Sequence, residues 1–172
     1  MANSSKRNRR NAKVGKRAQD VIDRRLISIG LLCVERIATP VVIQRDKRGK
    51  ISDAFYEAPV AADTRALFPF SLDGFTKPLG VSVLIETKAI GLRDHKRRLR
   101  MSDFKPHQPK ALTDHDEFGL SLVGWVSAHG AAVAPWSSLG LKSGTSIDWE
   151  SFVSSSIRSP EDISAILQAK YL

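Results

Sequence analysis

The chain reads as an α+β domain: a small mixed or antiparallel sheet of four to five strands, a helix near each end, and a basic N-terminal arm. Three observations predict this. Apolar residues make up 42% of 172, enough for one packed core and too few for two comfortable ones. The hydrophobic period is helical around Val14–Ile22 and alternating from Ile27 onward. The last fourteen residues, SPEDISAILQAKYL, carry a full set of helix-start signals. The boundaries read as 1–17 for a flexible basic arm and 18–172 for one globular α+β domain.

Residues 1–11 are polar, basic and aperiodic, as in a mobile arm. From Ala12 to Arg25, Val14, Ala18, Val21 and Ile22 share one helical face; Gly15 weakens the start by about 1 kcal/mol relative to Ala. Ile27, Ile29, Leu31 and Cys33 then alternate as a mostly buried strand, with Cys33 a small buried hydrophobe. Residues 41–44 and 51–55 predict a hairpin with a charged loop and Gly49 at its left-handed position. The Pro- and Gly-punctuated segment 57–80 reads as loop. VSVLIET (81–87) and LSLVGWVSA (120–128) are strands, the second with Leu120, Leu122 and Val126 opposite Val123 and Trp125.

Residues 92–105 suit the return strand of a hairpin from 81–90, with Leu99 and Met101 inward and Arg98 and Arg100 outward. PHQP (106–109) reads as an extended connector and DHDE (114–117) as a polar loop. At the end, Ser159 is the N-cap, Pro160 occupies N1, and Glu161 and Asp162 sit in the positive first turn. Ile163, Ile166, Leu167 and Tyr171 follow close to one face. There is no internal repeat.

Charge is the strongest functional signal. The net +9 divides into +7 over residues 1–25, +1 over 26–90, +5 over 91–110 and −4 over 111–172. Two short segments therefore hold nearly all the excess, which favours a polyanionic partner over a merely solvated face or docking on the acidic last third. The candidate nucleic-acid-binding residues are Lys6, Arg7, Arg9, Arg10, Lys13, Lys16 and Arg17 in the first segment. In the second they are Lys96, Arg97, Arg98 and Arg100. Arg outnumbers Lys ten to six in the two segments, as suits bidentate phosphate contacts, and the arm has no aromatic for base stacking. An anionic membrane surface is the second partner and a nuclear import receptor the third, since KRNRRNAKVGKR and HKRRLR match loose import patterns.

Catalytic and metal signals are weak. His95, His107, His115 and His129 have no compact ligand spacing, and one cysteine completes neither a zinc site nor a disulfide. No phosphate loop or nucleophile elbow is present, and SLGLKSGTS (138–146) lacks the spacing of a nucleotide cradle. The longest apolar run, LISIGLLCV, has nine residues against the roughly 20 of a membrane span. No cofactor, metal or enzyme activity is expected, and the lone cysteine points to a reducing compartment, cytoplasmic or nuclear.

A small α+β body with a basic arm is a layout shared with virion coat and matrix proteins and with some chromosomal or ribosomal proteins. The likeness is one of layout and rests on no motif. The expectation is a non-catalytic structural protein that binds RNA or ribonucleoprotein, most like a viral matrix- or coat-like assembly protein that packages a genome. Self-association through the apolar body and acidic last third goes with it. The alternatives are a cellular DNA- or RNA-binding regulator and a peripheral adaptor on anionic lipid.

Overall fold

A computed structural model of the chain describes residues 2–37, 41–45, 51–56, 62–71 and 79–171, with side chains over 13–37, 62–71 and 79–171. Among these there are four α-helices, a five-stranded mixed sheet and two two-stranded ribbons. The fold is α+β with a helix at each end, as the composition and periodicities predict.

The central sheet has the order β1-β4-β5-β7-β8 (Leu32–Arg36, Thr64–Phe70, Leu79–Ala89, Leu120–Ser127, Gly130–Pro135). Its pairs are antiparallel except β5 with β7, which run parallel from Val83↔Leu120 to Ala89↔Val126. A parallel pair needs a crossover. That crossover holds β6 (Leu99–Arg100), a 3₁₀ turn at Met101–Asp103 and α2 (His107–Asp116). β6 pairs with β9 (Ser146–Ile147), while β2 (Val41–Arg45) and β3 (Ile51–Tyr56) form a separate hairpin.

Alternation along the strands loads both faces. Ala66, Phe68, Val83, Ile85, Leu120, Leu122 and Val133 point to α1 (Ala2–Ser28) and α4 (Pro160–Tyr171), meeting Ile22, Leu26, Ile163 and Leu167. Val123, Trp125, Ala132 and Ala134 point to α2 and α3 (Trp149–Ser154), meeting Leu112 and Phe152. The strand expected at 120–128 thus has the two faces its sequence predicts. Helix α1 lies close enough that a Cβ on Gly124 of β7 would fall 2.9 Å from Ile22 Cγ1.

Several local expectations are corrected. The backbone is helical from Ala2, well ahead of the apolar periodicity at Ala12; that leading stretch holds no Pro or Gly to interrupt the helix. Ile27 and Ser28 end this helix, and the strand begins only at Leu32, because Gly30 at φ 88 turns the chain first. Cys33 is exposed rather than buried, at φ 51 where the β1–β4 register shifts. Residues 64–70 are a strand inside the segment read as loop. Residues 92–105 do not return along β5: only Leu99–Arg100 is strand, with Leu99 buried and Arg100 outward as expected. PHQP and most of DHDE are helical, Pro106 standing just before α2 and Asp116 closing it. The hairpin at 41–45 and 51–56 is present, while Gly49 lies outside the described residues.

Candidate functional site

The central strand β5 carries two charges where its neighbours are apolar. Leu84 and Ile90 pack in the α2-side core, and Glu86 and Lys88 share that face by the period of two. An ionised pair in such a place is costly unless partnered. The partners are specific. Lys88 Nζ lies 2.8 Å from Glu86 Oε1, with side-chain exposures of 12% and 6%. The ammonium also donates to Gln108 Oε1 at 2.9 Å and sits 4.6 Å from the Phe104 ring centroid. Gln108 stands in the first turn of α2, and its Oε1 is pinned again by the Lys105 backbone N–H at 2.8 Å.

Asp63 immediately precedes β4. Its N–H donates to Ile85 O at 3.1 Å, and its side chain lies with Thr87 on the α1 side of β5. The carboxylate accepts from Thr87 N at 2.9 Å, Thr87 Oγ1 at 3.3 Å and Thr64 Oγ1 at 3.1 Å, and Gln19 of α1 reaches it from the other side. Burial pushes the Asp63 carboxyl above its ordinary value against these hydrogen bonds. Burial likewise pushes Glu86 up; Lys88 pulls it down and the neighbouring Asp63 charge pushes it up again. One oxygen of Glu86, Oε2, is buried with no hydrogen-bond partner.

Asp63 stays with Thr87 and Gln19 on the α1 side, so it is the open lone-pair oxygen of Glu86 that suits a divalent cation of the magnesium class. Such a cation takes one or two carboxylates and completes its shell with water and phosphate oxygens. No group of three His, Cys, Asp or Glu converges among the described residues. The histidines lie elsewhere. His115 is held between Ser82 Oγ and Ser121 Oγ, each at 3.1 Å, and burial lowers its pKa. His129 contacts His95 O at 3.0 Å and stacks on Trp149.

The basic residues fall around the same end of the sheet. A cavity of about 350 Å³ opens beside Asp63, lined by Lys16, Gln19, Arg36 and Thr87. Lys13, Lys16 and Arg17 are exposed on α1; Lys6, Arg7, Arg9 and Arg10 lie on its helical backbone, beyond the described side chains. The second segment leaves the end of β5 and is divided in use. Arg97 pairs with Asp103 at 3.0 Å and Arg98 with Asp148 at 3.2 Å. Lys96 and Arg100 are exposed with no carboxylate partner among the described residues. Arg98–Asp148 joins the basic segment to the acidic last third within the chain.

Asp63, Glu86, Lys88 and Gln108 were not among the residues singled out by sequence. The one available signal was a Glu-x-Lys pair inside the apolar strand VSVLIETKAI, where solvated charges do not belong. No protein-family model and no curated protein matches the chain. No described helix is long and apolar enough to cross a membrane.

Proposed function

We propose that this chain binds nucleic acid and hydrolyses its phosphodiester backbone with a divalent cation held by Glu86, the strand entering by the cavity beside Asp63. The observation that carries the reading is Glu86: a carboxylate on a central strand, its pKa pushed up by burial and by the charge of Asp63, paired with Lys88 and with one oxygen left open. A buried carboxylate with a perturbed pKa and an open oxygen on a central strand is the kind of group that binding and catalytic sites use.

A bound cation supplies positive charge to the phosphate and acidifies water. The residues do the rest. Lys88 places a fixed ammonium beside the Glu86 carboxylate, where negative charge builds on the phosphoryl oxygens. Gln108 holds that ammonium in position, and exposed Lys13, Lys16 and Arg17 draw the polyanion to the cavity beside Asp63. In the balanced reaction, water oxygen bonds to phosphorus as the phosphorus–oxygen ester bond breaks. One water proton ends on the leaving alcohol and the other in solvent.

The test is incubation of single- and double-stranded RNA and DNA with the full chain in magnesium, manganese or EDTA. Cleavage in magnesium, absent in EDTA and reduced about a thousandfold or more in Glu86→Gln, is the expected result. No cleavage of any substrate sinks the reading.

The exposed Lys13, Lys16, Arg17, Lys96 and Arg100 keep a second reading in view: RNA or ribonucleoprotein held without turnover, in a coat- or matrix-like assembly that self-associates. An anionic membrane or an import receptor would use the same charges. Tight binding with no hydrolysis in the same assay would select this group.

A further inference from the structure

The SLGLKSGTS segment anchors Leu139 and Leu141 in the α2-side core, and its far end closes a second cavity. About 470 Å³ of space is lined by Arg100, Ser102, Ser143, Gly144 and Thr145, and no acidic residue lines it. Arg97 and Arg98 are engaged by Asp103 and Asp148, whereas the Arg100 guanidinium is exposed and lines this cavity. The opposite wall is a tight turn. Lys142 N donates to Thr145 Oγ1 at 2.7 Å, and Thr145 N donates to Lys142 O at 3.0 Å. These bonds do not use the Ser143 and Gly144 amides. Gly144 stands at φ 80, the left-handed conformation by which turns gather consecutive amides into anion-binding concavities.

We infer that Arg100, the Ser102 and Ser143 hydroxyls and the 142–145 turn form a second phosphate site, which holds the backbone of the nucleic acid treated at Glu86. This rests on the nucleic-acid reading above. The position supports it: Arg100 is four residues from Phe104, which touches Lys88. Four residues span at most about 14 Å, and the intervening 3₁₀ turn shortens that. A strand with one phosphate per roughly 3.4 Å of axis therefore passes Arg100 within a few phosphates of Glu86. Neutral and cationic donors without a carboxylate suit a phosphodiester and exclude a cation.

The experiment is anisotropy of a labelled single-stranded oligonucleotide with the full chain in EDTA, across a salt series. Arg100→Ala should lower affinity and flatten the log–log salt slope by about one, so its deficit shrinks about threefold to fourfold between roughly 50 and 200 mM salt. Arg100→Lys should keep the slope, and Ser143→Glu should reproduce the loss by repulsion. Unchanged melting temperatures would separate both effects from unfolding. An unchanged slope in both Arg100→Ala and Ser143→Glu overturns the site. So does binding of inorganic phosphate that needs Arg100 while the oligonucleotide slope stays constant, because the cavity then takes a free anion. The hydrolase reading fails separately: a wild-type chain that never cleaves in magnesium, yet shows the slope change, loses its chemistry and keeps this pocket.

Discussion

Lys88 Nζ lies 2.8 Å from one oxygen of Glu86, and the other oxygen of that carboxylate is buried without a donor. On the proposed reading, the pair is half of an arrangement whose remaining partner is a cation. Removing either member exposes the dependence. Lys88→Met leaves Glu86 uncompensated on a central strand and should cost about 3 kcal/mol in urea unfolding without cation. Magnesium should restore much of that loss. A loss that magnesium does not touch would mean the open oxygen is not a ligand.

Stability should respond to pH in a defined direction. Burial raises the Asp63 and Glu86 pKa values, so the folded state holds their protons more tightly than the unfolded chain does. Their contribution is fully present below the ordinary carboxylate values and is lost as pH rises through the elevated ones. Magnesium competes with the Glu86 proton, so the melting-temperature gain from magnesium should grow with pH across that window. A gain that is flat or falls with pH, measured by calorimetry in matched buffers, contradicts this.

Gln108 is a positioning residue, because it touches Lys88 and not the phosphate. Gln108→Leu takes one acceptor from the Lys88 ammonium and one from the Lys105 N–H, at a cost of about 1–3 kcal/mol. The hydrolytic kcat should drop while KM for oligonucleotide stays near wild type. A rise in KM alone would make Gln108 a binding residue instead.

Helix α1 brings Gln19 and Lys16 to the site only because Gly124 lets Ile22 approach. Gly124→Ala sets a methyl 2.9 Å from two carbons of Ile22 and should destabilise by about 1–3 kcal/mol. The double variant with Ile22→Val should recover part of the loss. Failure of the second change to recover anything in thermal melts would place the strain elsewhere.

The unpaired and the ion-paired cations among the described residues of the second basic segment should separate in binding. Lys96→Ala should flatten the salt slope by about one, whereas Arg98→Ala, which breaks the Asp148 pair, should change it less. Equal slopes would return the whole run to a uniform charged patch.

What the sequence could be read for, and what it could not, follows from range. The hairpin at 41–56, β5, β7 and α4 carry their own alternation, turn or capping residues, so local reading finds them. β4 was lost because Pro69 looks like a strand breaker. In the sheet β1 pairs only as far as Leu67, so on that side nothing asks Pro69 for an N–H. Without β4 there is no strand to bring Asp63 against Thr87 of β5, and that side of the site disappears with it. Gln108 was hidden the same way, in a Pro-flanked stretch that reads as extended until α2 is seen docked on β5. The basic residues were visible as a run, but only coordinates show that Asp103 and Asp148 engage two of them.

The parallel pairing of β5 with β7 has a consequence for timing. Ribosomal synthesis delivers Asp63, Glu86, Lys88 and Gln108 before the strand that flanks β5 on its far side, Leu120–Ser127, has been made. Until then the β5 edge is wet, and its two charges behave as ordinary surface groups. The cluster acquires its altered acidity only when the crossover closes. A nascent chain stalled before residue 120 thus carries all four of these residues and none of the burial that shifts the acidity of Asp63 and Glu86.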